Sequence, residues 1–311
     1  MNKPQQVDVS LCRNYLISDY TRKYTSKDVI LYALGIGAPE NATDTRDLKH
    51  TYERANDFQA LPSFATAIPN FYDDFNTMQQ CPGLPEFDLN MMVHGEHKVI
   101  IHKPIPTEAY VHQRCVIKDV EDKTTGALVI LHIETTDMYD NTPLCTNIGS
   151  LFIRGKGGFD KNKKKGKGVK KDVHTSPPDC TYTKQTTPQQ AVIYRLSGDF
   201  NPQHIDPQMA LKGGFTPPLL QGLCSYGIST HGVVKKLLNN DGSEVTSIYA
   251  RFSSIVTPGD VLETKMWRHV DNTNTLTCVY FTTTNITTGR VCLTDGCIQL
   301  RNKQTHGNSK I

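Results

Sequence analysis

Leu219-Leu220-Gln221-Gly222-Leu223-Cys224-Ser225-Tyr226-Gly227-Ile228-Ser229-Thr230-His231-Gly232-Val233-Val234-Lys235-Lys236-Leu237-Leu238 reads as one long apolar helix. A helix with so little polar surface must be covered by other elements, and the next residues supply the cover. Val245 to Phe252, Leu262 to Trp267, Thr275 to Thr284 and Val291 to Leu300 alternate apolar with polar residues, with Pro258-Gly259 among the turns between them. That is the pattern of half-buried strands. A helix followed by an antiparallel meander describes a curved sheet wrapped round one long helix.

The same plan occurs earlier in the chain. Thr25 and Ser26 precede Val29-Ile30-Leu31-Tyr32-Ala33-Leu34, a capped amphipathic helix that stops at Gly35 and Gly37. Phe58 to Ala67 is expected as the second apolar helix of this half. Strands follow at His97 to Ile101, Val111 to Val116, Ala127 to Thr136 and Cys145 to Ile153. In the later half, Thr187, Pro188 and Gln190 read as a capping box opening a helix through Ala191, Val192, Tyr194 and Leu196. The expected fold is α+β, a double hot-dog: two antiparallel sheets, each wrapped round a long helix. The expected division is an N-terminal repeat over residues 1–157, a basic Gly/Lys/Pro linker over 158–180, a C-terminal repeat over 181–303 and a tail over 304–311. The linker carries Lys161, Lys163, Lys164, Lys165, Lys167, Lys170 and Lys171 and reads as a solvated connection.

Composition narrows the function classes. The 311 residues are 37% apolar, enough for a sizeable core. A net charge of +3 is too small to point to nucleic acid, and no apolar run approaches the ~20 residues of a membrane span. Met1-Asn2-Lys3-Pro4-Gln5-Gln6 lacks the apolar stretch of a secretory signal. Nine cysteines without any C-x-x-C pair argue against a zinc site and a disulfide framework, and for free, mostly buried thiols. In a reducing compartment the glycosylation sequons at Asn41 and Asn285 are chance matches. No G-x-G-x-x-G follows a strand and opens a helix, which sets a nicotinamide enzyme aside.

Chemistry concentrates in Tyr194-Arg195-Leu196-Ser197-Gly198-Asp199-Phe200-Asn201-Pro202-Gln203-His204. A carboxylate, an amide and an imidazole fall within six residues where a helix ends in a turn. Asp199 and His204 are five apart, so a continuous helix would not put them on one face. Asn201-Pro202 disfavours helix and folds the chain back, so both side chains can point into one cleft. Such groups can position a water, take its proton and return a proton to a carbon acid. S-G-D and N-P are also ordinary turn chemistry, and that reading stands beside the catalytic one.

Tyr194 to Ala210 resembles the signature of the enoyl-CoA hydratase 2 family, the R-specific, MaoC-like hydratase part of peroxisomal multifunctional enzyme type 2. The likeness extends to Asp28 through Gly35, Tyr52-Glu53, Leu61-Pro62-Ser63-Phe64, His94-Gly95-Glu96, Lys103-Pro104, Gly155 to Phe159 and Gly222 through Gly227. It implies a double hot-dog fold and hydration of trans-2-enoyl-CoA to (3R)-3-hydroxyacyl-CoA in fatty-acid β-oxidation, with no metal or redox cofactor. By the same resemblance Asp199 and His204 are the acid–base pair, Asn201 helps hold the water, and the Gly222 N–H meets the thioester oxygen. That last role requires the long helix to begin near Leu220 or Gln221, because a helix from Pro218 would use up this N–H. His94, Gly95, Lys123 and Phe252 match substrate-contacting positions. Glu53 matches an acidic position and is expected to be structural, paired with a buried base. A homodimer is also implied.

The chain departs from the pattern at Gln203, where an aliphatic residue is usual, and at Gln221, where a histidine usually precedes the glycine. Thr216-Pro217-Pro218 also differs locally. Ser309-Lys310-Ile311 resembles a peroxisomal address read by an import receptor. Two other readings remain open at this stage: a hot-dog thioesterase, and a non-catalytic acyl-CoA-binding module.

Overall fold

A computed structural model describes residues 3–160 and 176–301. The lysine run and Ser309-Lys310-Ile311 lie outside the described residues. In chain order the first half contains α1 (Val9–Cys12), β1 (Leu16–Tyr24), α2 (Ser26–Gly35), α3 (Thr45–Leu48), a 3-10 turn (Pro62–Thr66) and α4 (Phe71–Met78). Four strands complete it: β2 (Met92–Ile101), β3 (Ala109–Asp122), β4 (Gly126–Asp137) and β5 (Pro143–Arg154). The second half runs β6 (Cys180–Gln185), α5 (Gln190–Tyr194), α6 (Pro207–Lys212) and α7 (Gly222–Leu237), then β7 (Val245–Phe252), β8 (Val261–Val270), β9 (Leu276–Asn285) and β10 (Arg290–Leu300).

The strands form one ten-stranded sheet in the order β1-β3-β4-β5-β2-β7-β10-β9-β8-β6. Read outward from its centre, each half repeats the other, which is the duplication expected of a double hot-dog. The halves join edge to edge through antiparallel pairing of β2 with β7, from Glu96 opposite Arg251 to Ile100 opposite Ser247. Pairing at that seam removes two strand edges. Tyr249 adds a side-chain bond across it, its hydroxyl 3.0 Å from the Glu96 carboxylate.

Local chemistry explains the elements. Thr25 and Asp28 form the capping box of α2. The long apolar run becomes α7, and every residue from Leu223 to Val234 is buried. In α5 the first turn starts later than its sequence suggests: Gln190 still bonds back to the Thr187 N–H at 3.2 Å, but helix begins only at Gln190.

The second helix expected in the first half is absent. Phe58 to Ala67 holds only the 3-10 turn, although all five of the turn's residues are buried. Pro62 can open a helix but not sit inside one, and Pro69 disfavours helical backbone at Ile68, so the stretch between them is too short for a long helix. Among the described residues α7 is the one long helix, and it packs on β6, β7, β8 and β10 of the second half and on the 3-10 turn. The first half's inner face, at His94 and Leu151, fronts a cavity instead.

Two strands also went unread in the sequence. β1 and β6 lie at the sheet's outer edges. In β1 only Ile17 and Tyr24 are buried, and in β6 only Tyr182. Seven of the nine cysteines are buried, as expected. Asn285 is fully buried against Asp260, beyond reach of glycosylation.

Candidate active site

The segment after α5 closes in a further 3-10 turn (Arg195–Ser197) and reverses at Gly198, whose φ of +114° disfavours any residue with a Cβ. Asp199 follows, and its Oδ1 accepts from the Asn201 N–H at 3.4 Å. Asn201 takes φ −54° and ψ 117°, as a residue before proline should, and its side-chain oxygen caps the short turn Pro202–His204 through the Gln203 N–H at 3.2 Å. Two side-chain bonds thus hold the reversal, and His204 swings back toward Asp199. With its oxygen engaged, Asn201 has its amide nitrogen left for a water.

His204 Nε2 lies 3.7 Å from Asp199 Oδ2. The other ring nitrogen, Nδ1, is 2.9 Å from the Leu219 carbonyl oxygen. A carbonyl only accepts, so Nδ1 carries the proton and donates. In the neutral ring the bare nitrogen is therefore Nε2, the one that faces Asp199. At 3.7 Å the two groups are too far apart for a direct hydrogen bond, yet both can reach one water oxygen. The side chains are 11% and 28% exposed, so the pair is sheltered but open to the cavity.

Gly222 meets the condition set by the sequence. Pro218 to Leu220 is not helical, the Leu220 N–H is spent on the Val256 carbonyl at 2.8 Å, and Gln221 is the N-cap. Gly222 is thus the first helical residue, and its N–H is among those a helix leaves without an internal acceptor. A Cβ here would stand 3.1 Å from the Phe252 ring, so any other residue would make that ring give way by a few tenths of an ångström. The unusual Gln221 is fully buried, and its side chain donates to the Ala191 carbonyl at 3.2 Å, tying α7 to α5.

These groups share a cavity of about 510 Å³ to which both halves contribute. Asp199, Asn201, Gln203, His204 and Gly222 come from the second half; His94, Phe71 and Phe75 come from the first. His94 and Phe252 stand with ring centroids 5.0 Å apart in its wall. Gly95 and Lys123 do not line it. Lys123 sits on the turn between β3 and β4 with its ammonium 2.7 Å from Glu121. That turn packs on the end of β5, where Gly126 pairs with Arg154 and the Gly155 N–H bonds Thr125 at 2.8 Å. Arg154 reaches the cavity where Lys123 does not. The only sequence signal for it is its place just ahead of Gly155-Lys156-Gly157-Gly158. Glu53 corrects the expectation of a buried pair. It is exposed on a turn, and the acid that is buried against a base is instead Asp47, 2.8 Å from the half-buried Lys235.

A hydrogen-bonded chain that sequence reasoning missed runs behind His94. The Asn147 amide donates to the Ala65 carbonyl at 3.0 Å, its oxygen lies 3.0 Å from His97 Nε2, and His97 Nδ1 lies 3.3 Å from His94 Nε2. Nothing local in the sequence links residues 65, 97 and 147; the sheet and the 3-10 turn bring them together.

Burial holds His94 well below the ordinary imidazole value and brings His97 down to about 4. The unfolded chain takes up protons on these rings near the ordinary value of 6.5, whereas folded His97 does so only near pH 4. The unfolded state binds more protons across that window, so stability falls as pH drops from about 6.5 to about 4. Asp74 opposes this over part of the range: burial raises its carboxyl to about 6, so the folded state holds a proton the unfolded chain has lost. Thermal melts should show Tm declining through this interval, and His97→Gln should make the decline shallower even if its Tm at neutral pH is lower. An equally steep decline in that variant would show that His97 is not one of the groups responsible.

Fold and site together define a double hot-dog protein of the hydratase and dehydratase class. Residues 22–155 match the profile described as the MFE-2 hydratase 2 N-terminal domain, and residues 169–291 match the MaoC like domain. The chain belongs to the enoyl-CoA hydratase 2 family. It is 38% identical over 263 residues to a probable enoyl-CoA hydratase 2 of Dictyostelium discoideum, covering 84% of this chain and 87% of that protein. It is 33% identical over 287 residues to the peroxisomal multifunctional enzyme type 2 of Mus musculus, covering 91% of this chain and 37% of that longer protein. Among solved structures, a MaoC-like dehydratase from Phytophthora capsici superposes with a TM-score of 0.81 at 30% identity, covering 95% of this chain and 99% of that one.

Proposed function

We propose that this chain is an R-specific enoyl-CoA hydratase that adds water to trans-2-enoyl-CoA to give (3R)-3-hydroxyacyl-CoA in peroxisomal fatty-acid β-oxidation. One observation carries the reading: the Asp199–His204 pair, 3.7 Å apart, shares a cavity with the unpaired N–H at the start of α7. Water held by Asn201 loses a proton to the pair as its oxygen bonds to carbon 3. The π electrons move through carbon 2 onto the thioester oxygen, where the Gly222 N–H receives the charge. The pair then returns a proton to carbon 2, so water is added and the protein is left unchanged. All of this takes place on one face of the enoyl plane, which sets the configuration at carbon 3.

His94 and Phe252 offer flat apolar surfaces to the pantetheine arm. Arg154 at the rim, with Lys123 on the adjoining turn, suits the phosphates of coenzyme A, since a planar guanidinium can grip phosphate oxygens in pairs. Gln221 lies outside the cavity, so its departure from the usual histidine leaves the backbone role of Gly222 intact. A homodimer, and import through a receptor that reads Ser309-Lys310-Ile311, belong to the same proposal.

One assay separates the alternatives. Incubation with trans-2-decenoyl-CoA should bleach the enoyl absorbance and yield only the (3R)-3-hydroxy product. Release of free coenzyme A with no hydroxy product would make the protein a thioesterase. Binding without turnover would make it an acyl-CoA-binding module.

A further inference from the structure

Behind the loop that carries Asp199 lies a second cavity of about 300 Å³. Tyr24 of β1, Leu31 of α2, Phe64, Ile68, Leu196 and Phe200 supply most of its apolar wall. Three residues, Ala67, Ser197 and Gly198, line both this cavity and the catalytic one. The partition is therefore a single layer of chain bearing very small side chains. At Gly198 the two segments of the partition lie in contact: a Cβ there would stand 3.5 Å from the Pro69 carbonyl oxygen and 3.7 Å from that of Ala67. The Ser197 hydroxyl is buried there without a hydrogen-bond partner, so it does not lock the partition.

Apart from Ser197, the polar side chains that line the second cavity have partners within the protein. Tyr20 bonds Gln113, Arg22 bonds the Ile68 carbonyl, Tyr24 bonds the Pro106 carbonyl, Asp28 is used in the α2 cap, and Asn70 bonds Asp73. Each of these side chains has a partner inside the protein, and apolar surface makes up the larger part of the lining next to the catalytic loop. Asp199 directly follows Gly198, so carbon 3 of a substrate reacts beside the partition. The chain beyond carbon 3 of a trans-enoyl thioester runs away from the thioester, and hence away from Gly222.

We propose that the two cavities form one acyl compartment, joined across Ala67, Ser197 and Gly198, and that the second cavity receives the distal methylenes of long acyl chains. The proposal rests on the hydratase reading above. It makes Leu31 and Leu196, which contact only the second cavity, determinants of chain-length preference. Leu31→Trp and Leu196→Trp add bulk to the second cavity from two separate elements, at positions that are partly exposed in the folded chain.

The test is steady-state kinetics of both variants and the unsubstituted protein on trans-2-hexenoyl-CoA and trans-2-hexadecenoyl-CoA. Each methylene turned out of apolar cover weakens binding about fourfold. KM for the long substrate should therefore rise on the order of tenfold or more, with kcat and the short-chain parameters unchanged. One variant with this profile is sufficient support, so misfolding of the other does no harm. Unchanged long-chain KM in variants that still hydrate hexenoyl-CoA would overturn the shared compartment and leave the hydratase reading standing. Equal losses at both chain lengths would also overturn it, by putting the effect on the catalytic loop. Failure of the unsubstituted protein on both substrates would instead refute the hydratase reading.

Discussion

Asp199→Asn is expected to lower kcat for trans-2-decenoyl-CoA by about 10²–10⁴-fold, the usual range for one positioned acid or base, with KM changed little. Asparagine has the same shape, and its oxygen can still accept from the Asn201 N–H that Asp199 Oδ1 binds at 3.4 Å. The reversal at Gly198 should survive, and only charge and basicity are lost. His204→Gln should cause a loss of similar size, because glutamine can still donate toward the Leu219 carbonyl but cannot pass a proton. If the two act as a unit, the double variant will be far less impaired than the product of the single losses. Steady-state kinetics of the three variants checks this. Single variants within about tenfold of normal turnover, where a working acid–base group would cost far more, would remove the pair from the mechanism.

The second large effect is expected at Gly222, where two substitutions separate its backbone from its size. Proline is well tolerated as the first residue of a helix, and Gln221 already has the extended ψ of 135° that a following proline favours. Gly222→Pro therefore deletes the N–H while leaving the start of α7 intact. Gly222→Ala keeps the N–H, yet both substitutions bring a Cβ to within 3.1 Å of Phe252. The drop in kcat from Ala to Pro isolates the hydrogen bond to the thioester oxygen. Removal of one such donor costs on the order of 10²–10³-fold in kcat. Alanine alone should raise KM by displacing Phe252, with a smaller effect on kcat. Equal kcat in the two variants would mean that the N–H takes no part.

Much of the fold could be read because its signals are local. The alternation in β3, β4, β7 and β10 and the long apolar run of α7 need only near neighbours to be recognised. Phe58 to Ala67 misled for the same reason. It is apolar enough for a buried helix, but Pro62 and Pro69 limit it to a 3-10 turn, and its burial comes from packing across the molecule. The edge strands β1 and β6 were missed because each buries too few side chains for alternation to show. Glu53 misled differently: a matching residue type did not bring a buried partner with it.

The sequence by itself determined the loop that carries Asp199 and His204, and the reason is distance along the chain. Gly198, Asp199, Asn201, Pro202 and His204 set one another's geometry through a left-handed glycine, a pre-proline residue and short-range side-chain caps, all within a few residues. It also determined the duplicated plan, since periodicity is a local property of each strand. Tertiary structure alone decided what faces that loop. His94, Phe71 and Arg154 reach the cavity only because β2 pairs with β7 and no long helix fills the first half. The same packing leaves Lys123 outside the cavity and joins Asn147, His97 and His94 in a buried chain. It also sets the second cavity behind three small residues. These depend on contacts between residues far apart in sequence, whose partners no local pattern specifies.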